Sequence, residues 1–328
     1  MVDFNQIIGH ETLIEHMKSA IKMDKISHAY IIEGDYDSGK MMLATAFAKA
    51  LQCEEHKEEP CNHCTSCLQT DSHNQPDIFY VNHEKPTSIG IGDVREQING
   101  SMQIKPYSSK YKIYIVDEAE KMTIEAQNAI LKTIEEPPAY GIIFLLTTNA
   151  LKLLPTILSR CVVLRVKPVK DELIKEHLKT LGITGEQAEF AVKFAMGNVG
   201  KAIRVATSEE FQEIKKDCIH LLKYVYDMEL YELIAYMKEL TKYKLEIYDY
   251  LDFILMWYRD ILMLKATGNA NGLIYQEEYM TLKERGQKSS YEGIQKIIEE
   301  LEKAKERLHA NVNFELTMEL LWLTIKEN

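Results

Sequence analysis

HAYIIEGDYDSGKMMLATAFAKALQ, residues 28–52, decides how this chain folds. An apolar run, Ala29 to Ile32, leads into a loop bounded by Gly34 and Gly39. Lys40 then opens MMLATAFAKALQ, whose apolar residues recur at helical spacing. Strand, glycine-bounded loop and helix in that order make the repeating unit of a parallel α/β layer. The spacing Gly34-x-x-x-x-Gly39-Lys40 suits a loop whose backbone N–H groups wrap phosphates. The helix N-terminus favours negative charge there, and Lys40 reaches the terminal phosphates. Two features weaken such a site. Met41 stands where a Ser or Thr hydroxyl should hold Mg²⁺, and a thioether is a poor ligand for a hard cation. Asp35 and Asp37 also place negative charge in a loop meant for an anion. A strand-to-helix turn with a chance lysine is the plain alternative; a phosphate loop by descent that has lost hydrolysis is the stronger reading.

Further strands are expected at DIFYV (77–81), YKIYIVD (111–117), GIIFLLTT (141–148) and CVVLRV (161–166), with a helix over TIEAQNAILKTIEE (123–136). Alternation of this kind predicts a parallel sheet covered by helices on both faces, and the unbroken apolarity of IYIV and IIFLL fits strands buried on both sides. After Lys167-Pro168 the strand signal stops. Residues 170–206 read as a small helical unit broken at Gly182 and at GNVG (197–200), and the rest as helix. In YEGIQKIIEELEKAKERL, Ile294, Ile297, Ile298, Leu301, Ala304 and Leu308 form an amphipathic stripe, and GNANG (268–272) separates two helical stretches. The expected domains are 1–167, α/β with an insert at about 53–67; 168–207, a small helical lid; and 208–328, all helix.

The 328 residues carry 39 Lys and Arg against 50 Asp and Glu, a net charge of −11, so broad electrostatic nucleic-acid binding by the lone chain is not expected. With 15 Gly and 8 Pro, the chain is too poor in both for disorder or a turn-dense β fold. The N-terminal residues lack an apolar signal core and no apolar run approaches the ~20 residues that cross a bilayer, so a cytoplasmic protein is expected.

Three further groups bear on chemistry. Asp117-Glu118 follows the buried IYIV run at the carboxyl edge of the sheet, where nucleotide hydrolases hold Mg²⁺ with the Asp and polarise water with the Glu; a simple acidic strand end would read the same. Cys53-x7-Cys61-x2-Cys64-x2-Cys67 suits one tetrahedral Zn²⁺ in a structural role, since four thiolates leave no place for water. His56 and His63 lie close enough to replace a thiolate. Cys161 and Cys218 stand apart, as small buried or incidental residues. In LLPTILSRC (153–161), Pro155 suits the first turn of a short helix and Arg160 its end. Arginine is favourable at that end through the dipole alone, and also suits a finger reaching a neighbour's phosphates. Lys105, Lys110 and Lys112 flank the third strand and read as solvated surface rather than as a DNA contact.

The order of these motifs resembles the AAA+ clamp-loader family of bacterial DNA polymerase III. It is carried by FNQIIGHE (4–11), HAYIIEG and the loop to Lys40, the four-cysteine insert, IVDEAEKMTIEAQNAILKTIEEPP (115–138), LLTTNALKLLPTILSRC (145–161) and NVNFELTMELLWL (311–323). The resemblance implies an AAA+ domain, a lid and a helical collar that joins subunits into a ring. It implies that Arg160 is an arginine finger acting in trans and that Asn149 is the polar sensor of the γ-phosphate. Gly34, Gly39, Lys40, Asp117 and Glu118 would be remnants of a nucleotide site in which ATP and Mg²⁺ are doubtful. Cys53, Cys61, Cys64 and Cys67 match the family's zinc module. The implied partners are the gamma/tau motor and delta subunits, with the sliding clamp and primer-template DNA reached through the complex, and no membrane. Gly200 stands where active subunits carry a second-sensor arginine, with Lys201 and Arg204 close by. A degraded site beside a retained finger fits a non-hydrolysing interaction subunit; the alternative is an active ATPase motor subunit of the same assembly.

Overall fold

Five strands form among the described residues: β1 (Ala29–Glu33), β2 (Ile78–Val81), β3 (Lys112–Val116), β4 (Gly141–Thr147) and β5 (Val162–Arg165). They make one sheet in the order β2-β3-β4-β1-β5, every pair parallel. Successive side chains of a strand point to opposite faces, and here both faces are buried. Tyr30, Ile32, Ile113, Ile115, Ile142, Phe144 and Leu146 enter one core with Ile14 and Met17 of the helix Glu11–Lys22 and with Leu43, Phe47 and Leu51 of the helix Lys40–Gln52. Tyr30 stacks on Phe144 with ring centroids 5.3 Å apart, and Phe47 meets Tyr30 edge-on at 5.4 Å. Ala29, Ile31, Tyr114, Val116, Ile143 and Leu145 enter the second core, closed by Val94, Ile98 and by Ala126, Ile130 and Ile134 of the helix Ile124–Glu135. These alternating apolar positions explain why the strands read as continuous apolar runs.

The computed structural model describes residues 2–83, 85, 87–310 and 312–328; Met1, at the head of the expected first domain, and Asn311, at the head of NVNFELTMELLWL, lie outside them. The chain forms two compact units. The first comprises the residues up to Gly182 together with Ala195–Ala202, the second Ile183–Phe194 together with Ile203–Asn328. In the first unit the connection leaving β1 runs toward β2 at one edge, while that leaving β4 crosses to β5 beyond β1. The carboxyl ends of β1 and β4 therefore flank a topological switch point, where open α/β sheets leave a crevice.

The second unit is helical, with Glu209–Tyr224, Leu230–Glu239, Ile247–Thr267, Tyr279–Lys288, Tyr291–His309 and Phe314–Glu327 as its principal elements. Its core is aromatic: Phe253 meets Phe194 at 4.7 Å and Phe211 at 4.8 Å, and Trp257 and Trp322 are buried. The carboxylate of the buried Asp260 accepts the N–H groups of Ile274 (2.7 Å) and Tyr275 (2.9 Å), which fixes the chain just after GNANG.

Candidate functional site

A cleft of about 320 Å³ opens at the carboxyl ends of β1, β3 and β4, in the first unit. Residues 36–42 form one wall, Asp117, Glu118 and Glu120 another, and Thr147, Thr148 and Gly200 complete it. Gly39 caps the helix Lys40–Gln52 at φ +86°, a left-handed conformation that a side chain would strain. Lys40 is buried, and its ammonium turns back on its own loop, donating to the carbonyls of Gly34 (2.8 Å) and Asp35 (2.6 Å). Burial holds the Lys40 ammonium below the usual lysine range, against the pull of Asp117, Glu120, Asp35 and Asp37. Met41 packs partly into the core beneath the helix.

The acidic wall is committed to neighbours. Glu118, at φ +50°, pairs with Lys121 at 2.6 Å, and Asp117 Oδ1 accepts the N–H of Glu118 at 2.9 Å. Glu120, which no sequence pattern marks, accepts the Thr148 hydroxyl at 2.6 Å. Burial works against ionisation there, but hydrogen bonds led by that of Thr148 hold its carboxyl below the usual range. Asn149 spends its side-chain oxygen on the N–H of Leu151 at 2.9 Å, starting the turn Ala150–Lys152, while Thr147 and Thr148 line the cleft. Gly200 closes the cleft from the side. A Cβ there would overlap the backbone oxygen of Asp37 and lie 3.1 Å from its carbonyl carbon, and Asn198 Nδ2 donates to the Tyr36 carbonyl at 2.6 Å. Arg204 forms a two-handed ion pair with Asp249 inside the second unit. Lys201 is not among the residues lining the cleft.

Cys53, Cys61, Cys64 and Cys67 come together with their sulfurs all within 4.8 Å of one another, a group that could hold a metal ion. Cys53 caps the helix Lys40–Gln52 and Cys64 caps the helix Thr65–Asp71. Backbone N–H groups point at the sulfurs: Cys61 to Cys53 (3.3 Å), Cys64 to Cys61 (3.3 Å) and Cys67 to Cys64 (3.4 Å). Burial opposes ionisation of Cys61, yet hydrogen bonds from the backbone of His63 and Cys64 bring its thiol down to about 6. Burial raises the thiols of Cys53 and Cys67. His63 faces Glu55 (2.9 Å) and the Cys61 carbonyl (2.8 Å) with its two ring nitrogens. The insert is fastened to the body through Lys22–Glu58 (3.0 Å), Asn62–Asp3 (3.0 Å) and the fully buried Lys49, which holds Asp71 at 2.8 Å. Cys161 and Cys218 stand apart; burial pushes the Cys161 thiol up to about 12 and raises that of Cys218 as well.

Arg160 follows the short helix Pro155–Leu158, with Pro155 at its first position. Its side chain is 40% exposed and pairs with Glu135 at 3.1 Å. The segment leading to it is pinned by Gln127, a buried residue that sequence reasoning missed. Gln127 accepts the N–H of Leu154 (2.7 Å) and donates to the carbonyls of Met122 (3.1 Å) and Lys152 (3.3 Å). Lys112, expected on a solvated surface, is buried because its ammonium reaches the carbonyls of Ser101 (2.8 Å) and Ile104 (3.1 Å); Lys110 pairs with Asp24 at 2.9 Å.

The family described as DNA polymerase III, delta subunit, matches residues 9–170, and that described as DNA polymerase III, delta subunit, C terminal, matches residues 209–327. The chain is 30% identical to the DNA polymerase III subunit delta-prime of Bacillus subtilis over 317 residues, covering 94% of each chain. The tau subunit of the same organism is 25% identical over 345 residues, covering 96% of this chain and 60% of tau. In fold, the chain is similar to a DNA polymerase III gamma subunit-related protein of Thermotoga maritima, with a TM-score of 0.54 at 22% identity, covering 96% of this chain and 99% of that one. Identity of 30% along nearly the whole of both chains shows the family: the chain belongs to the delta-prime family of DNA polymerase III clamp-loader subunits.

Proposed function

We propose that this chain is a non-hydrolysing subunit of the clamp loader, which places Arg160 against ATP held by a neighbouring gamma/tau motor subunit. One contrast carries the reading. Lys40 is buried and held by its own loop, whereas Arg160 is a surface guanidinium on a pinned segment. The chain's own cleft is poorly suited to a polyphosphate: Asp37, Asp117, Glu118 and Glu120 face it, and its lysine is already engaged. Gly34, Gly39, Lys40, Asp117 and Glu118 are then vestiges of a nucleotide site, and Asn149 a turn-capping relic of a sensor.

The assembly would contain the motor subunits and delta, meeting the sliding clamp and primer-template DNA as a complex in the cytoplasm. Among the described residues, no helix is long and apolar enough to cross a membrane. Residues 1–167 act as the AAA+ domain, 168–207 as the lid and 208–328 as the collar. The ion of the four-cysteine group is zinc. Tetrahedral zinc with Zn–S near 2.3 Å spaces its sulfurs by about 3.8 Å; Cys61 and Cys67 sulfurs lie 4.0 Å apart. Four thiolates leave no open position, so the ion's contribution is to hold the insert.

ATP turnover by the purified chain, with Mg²⁺ and primed DNA present, tests the reading. None is expected. Turnover that disappears on Lys40→Ala would make the chain a motor subunit instead.

A further inference from the structure

Glu135 ends the helix Ile124–Glu135, where a carboxylate meets the negative end of the helix dipole and is unfavourably placed on local grounds. Its charge is answered by Arg160, whose Nη2 lies 3.1 Å from Glu135 Oε1. Nη1 of the same guanidinium donates to the Thr156 carbonyl and to Ser159 Oγ, both at 3.1 Å. Nη1 thus spends both its N–H groups on the chain's own oxygens and Nη2 spends one on Glu135, so the edge of the guanidinium turned to Glu135 is offered in full to a phosphate once that carboxylate leaves.

The stems beneath this pair are fixed. Ile134 and Ile157 are buried in the same core, and Gln127 ties the helix to residues 152–154. Exchange of Arg160 between partners is therefore a side-chain movement over a backbone at rest. The two side chains are 40% and 46% exposed, and a pair so exposed holds by a factor of only about 1.4 to 5. A polyphosphate, carrying several charges and presenting paired oxygens, outcompetes a single carboxylate of that strength.

We propose that Glu135 is a positioning residue, the resting counter-ion of Arg160. It keeps the guanidinium on its own chain until the polyphosphate of a neighbour's nucleotide displaces the carboxylate. The inference rests on Arg160 acting in trans, as proposed above. It differs from a purely structural role in sign: removing the carboxylate frees the finger and should raise hydrolysis by the neighbour in the absence of DNA.

The test uses the reconstituted clamp-loader complex carrying Glu135→Gln, Arg160→Ala or both, with ATP hydrolysis measured with and without primed DNA. Glu135→Gln is expected to raise kcat without DNA by roughly 1.5- to 5-fold at unchanged KM for ATP, and so to lower the ratio by which DNA stimulates. The double variant should match Arg160→Ala alone. A kcat without DNA at or below wild type in Glu135→Gln, with Arg160→Ala impaired, leaves the finger standing and overturns the role of Glu135. A rise that persists in the double variant also overturns it, since it would not pass through Arg160. Wild-type hydrolysis in Arg160→Ala overturns the trans reading itself, and this inference with it.

Discussion

Gly200→Ala sets two magnitudes against each other within the first unit. Gly200 lies one residue into the helix Val199–Thr207, where replacing glycine by alanine gains up to about 1 kcal/mol through helix propensity. The new Cβ, however, would overlap the Asp37 carbonyl oxygen and stand 3.0 Å from Asp37 Cβ and 3.1 Å from its carbonyl carbon. The obstacle is chiefly backbone, already held at φ +59° at Asp37, so it cannot swing aside as a side-chain tip would. Forcing a methyl into such a contact costs about 1–3 kcal/mol. The overlap should win, for a net loss of about 1 kcal/mol, felt first in the loop between Gly34 and Lys40. Hydrogen exchange is the assay. Amides of residues 36–39 should exchange roughly fivefold faster, the kinetic image of 1 kcal/mol in local opening, while β3 and β4 keep their protection. Slower exchange in the loop together with a higher urea midpoint, the result that propensity alone gives, would show that Gly200 does not seat the loop.

Two further expectations follow from the four-cysteine insert and its anchor. Burial works against ionisation of Asp71, but the hydrogen bonds from Lys49 and the Val2 N–H hold its carboxyl below the usual range. Its contribution is therefore present above about pH 4 and is lost as pH falls through the depressed value. Asp71→Asn should flatten that acid limb in urea unfolding at varied pH and leave the fully buried Lys49 uncompensated, at a cost of about 3–5 kcal/mol near neutrality; an unchanged acid limb would remove Asp71 from the account. Chelation of the native protein should release one zinc per chain, and limited proteolysis should then cut within residues 53–71 while the sheet survives. Protein that carries no metal, with the insert equally resistant, would contradict the zinc assignment.

The sheet was legible because its physics is local. Each strand is a short run apolar on both faces, as Tyr30 and Ile31 show by entering opposite cores, and period and length alone mark such runs. The cysteine group was legible through spacing that brings three sulfurs around one centre, and Pro155 announced the short helix before Arg160. What stayed hidden depends on contacts between residues far apart in sequence. Glu120 belongs to the cleft only because β4 brings Thr148 beside it, 28 positions away. Gln127 looks like one polar residue on an amphipathic helix until residues 152–154 fold against it. The Thr147-Thr148-Asn149 run offered three polar side chains at the end of β4, and no pattern in the sequence says that the two threonines face the cleft while the asparagine turns to cap Leu151. In the sequence, Gly200 stands out only for the arginine it replaces. Its packing against Asp37, which leaves no room for a side chain, required the fold.

The central claim is that this chain acts on a neighbour's ATP and not on its own. The most direct measurement is DNA-stimulated ATP hydrolysis by the reconstituted complex with Arg160→Ala in this chain alone, at subunit assembly matched to wild type by sedimentation. Removing a trans arginine from one active site should abolish that site's share of the stimulated rate, since such a residue contributes about 10³- to 10⁵-fold to the step it serves. Assembly at the wild-type level with a lower stimulated rate is the result predicted here. An unchanged rate at equal assembly would contradict it.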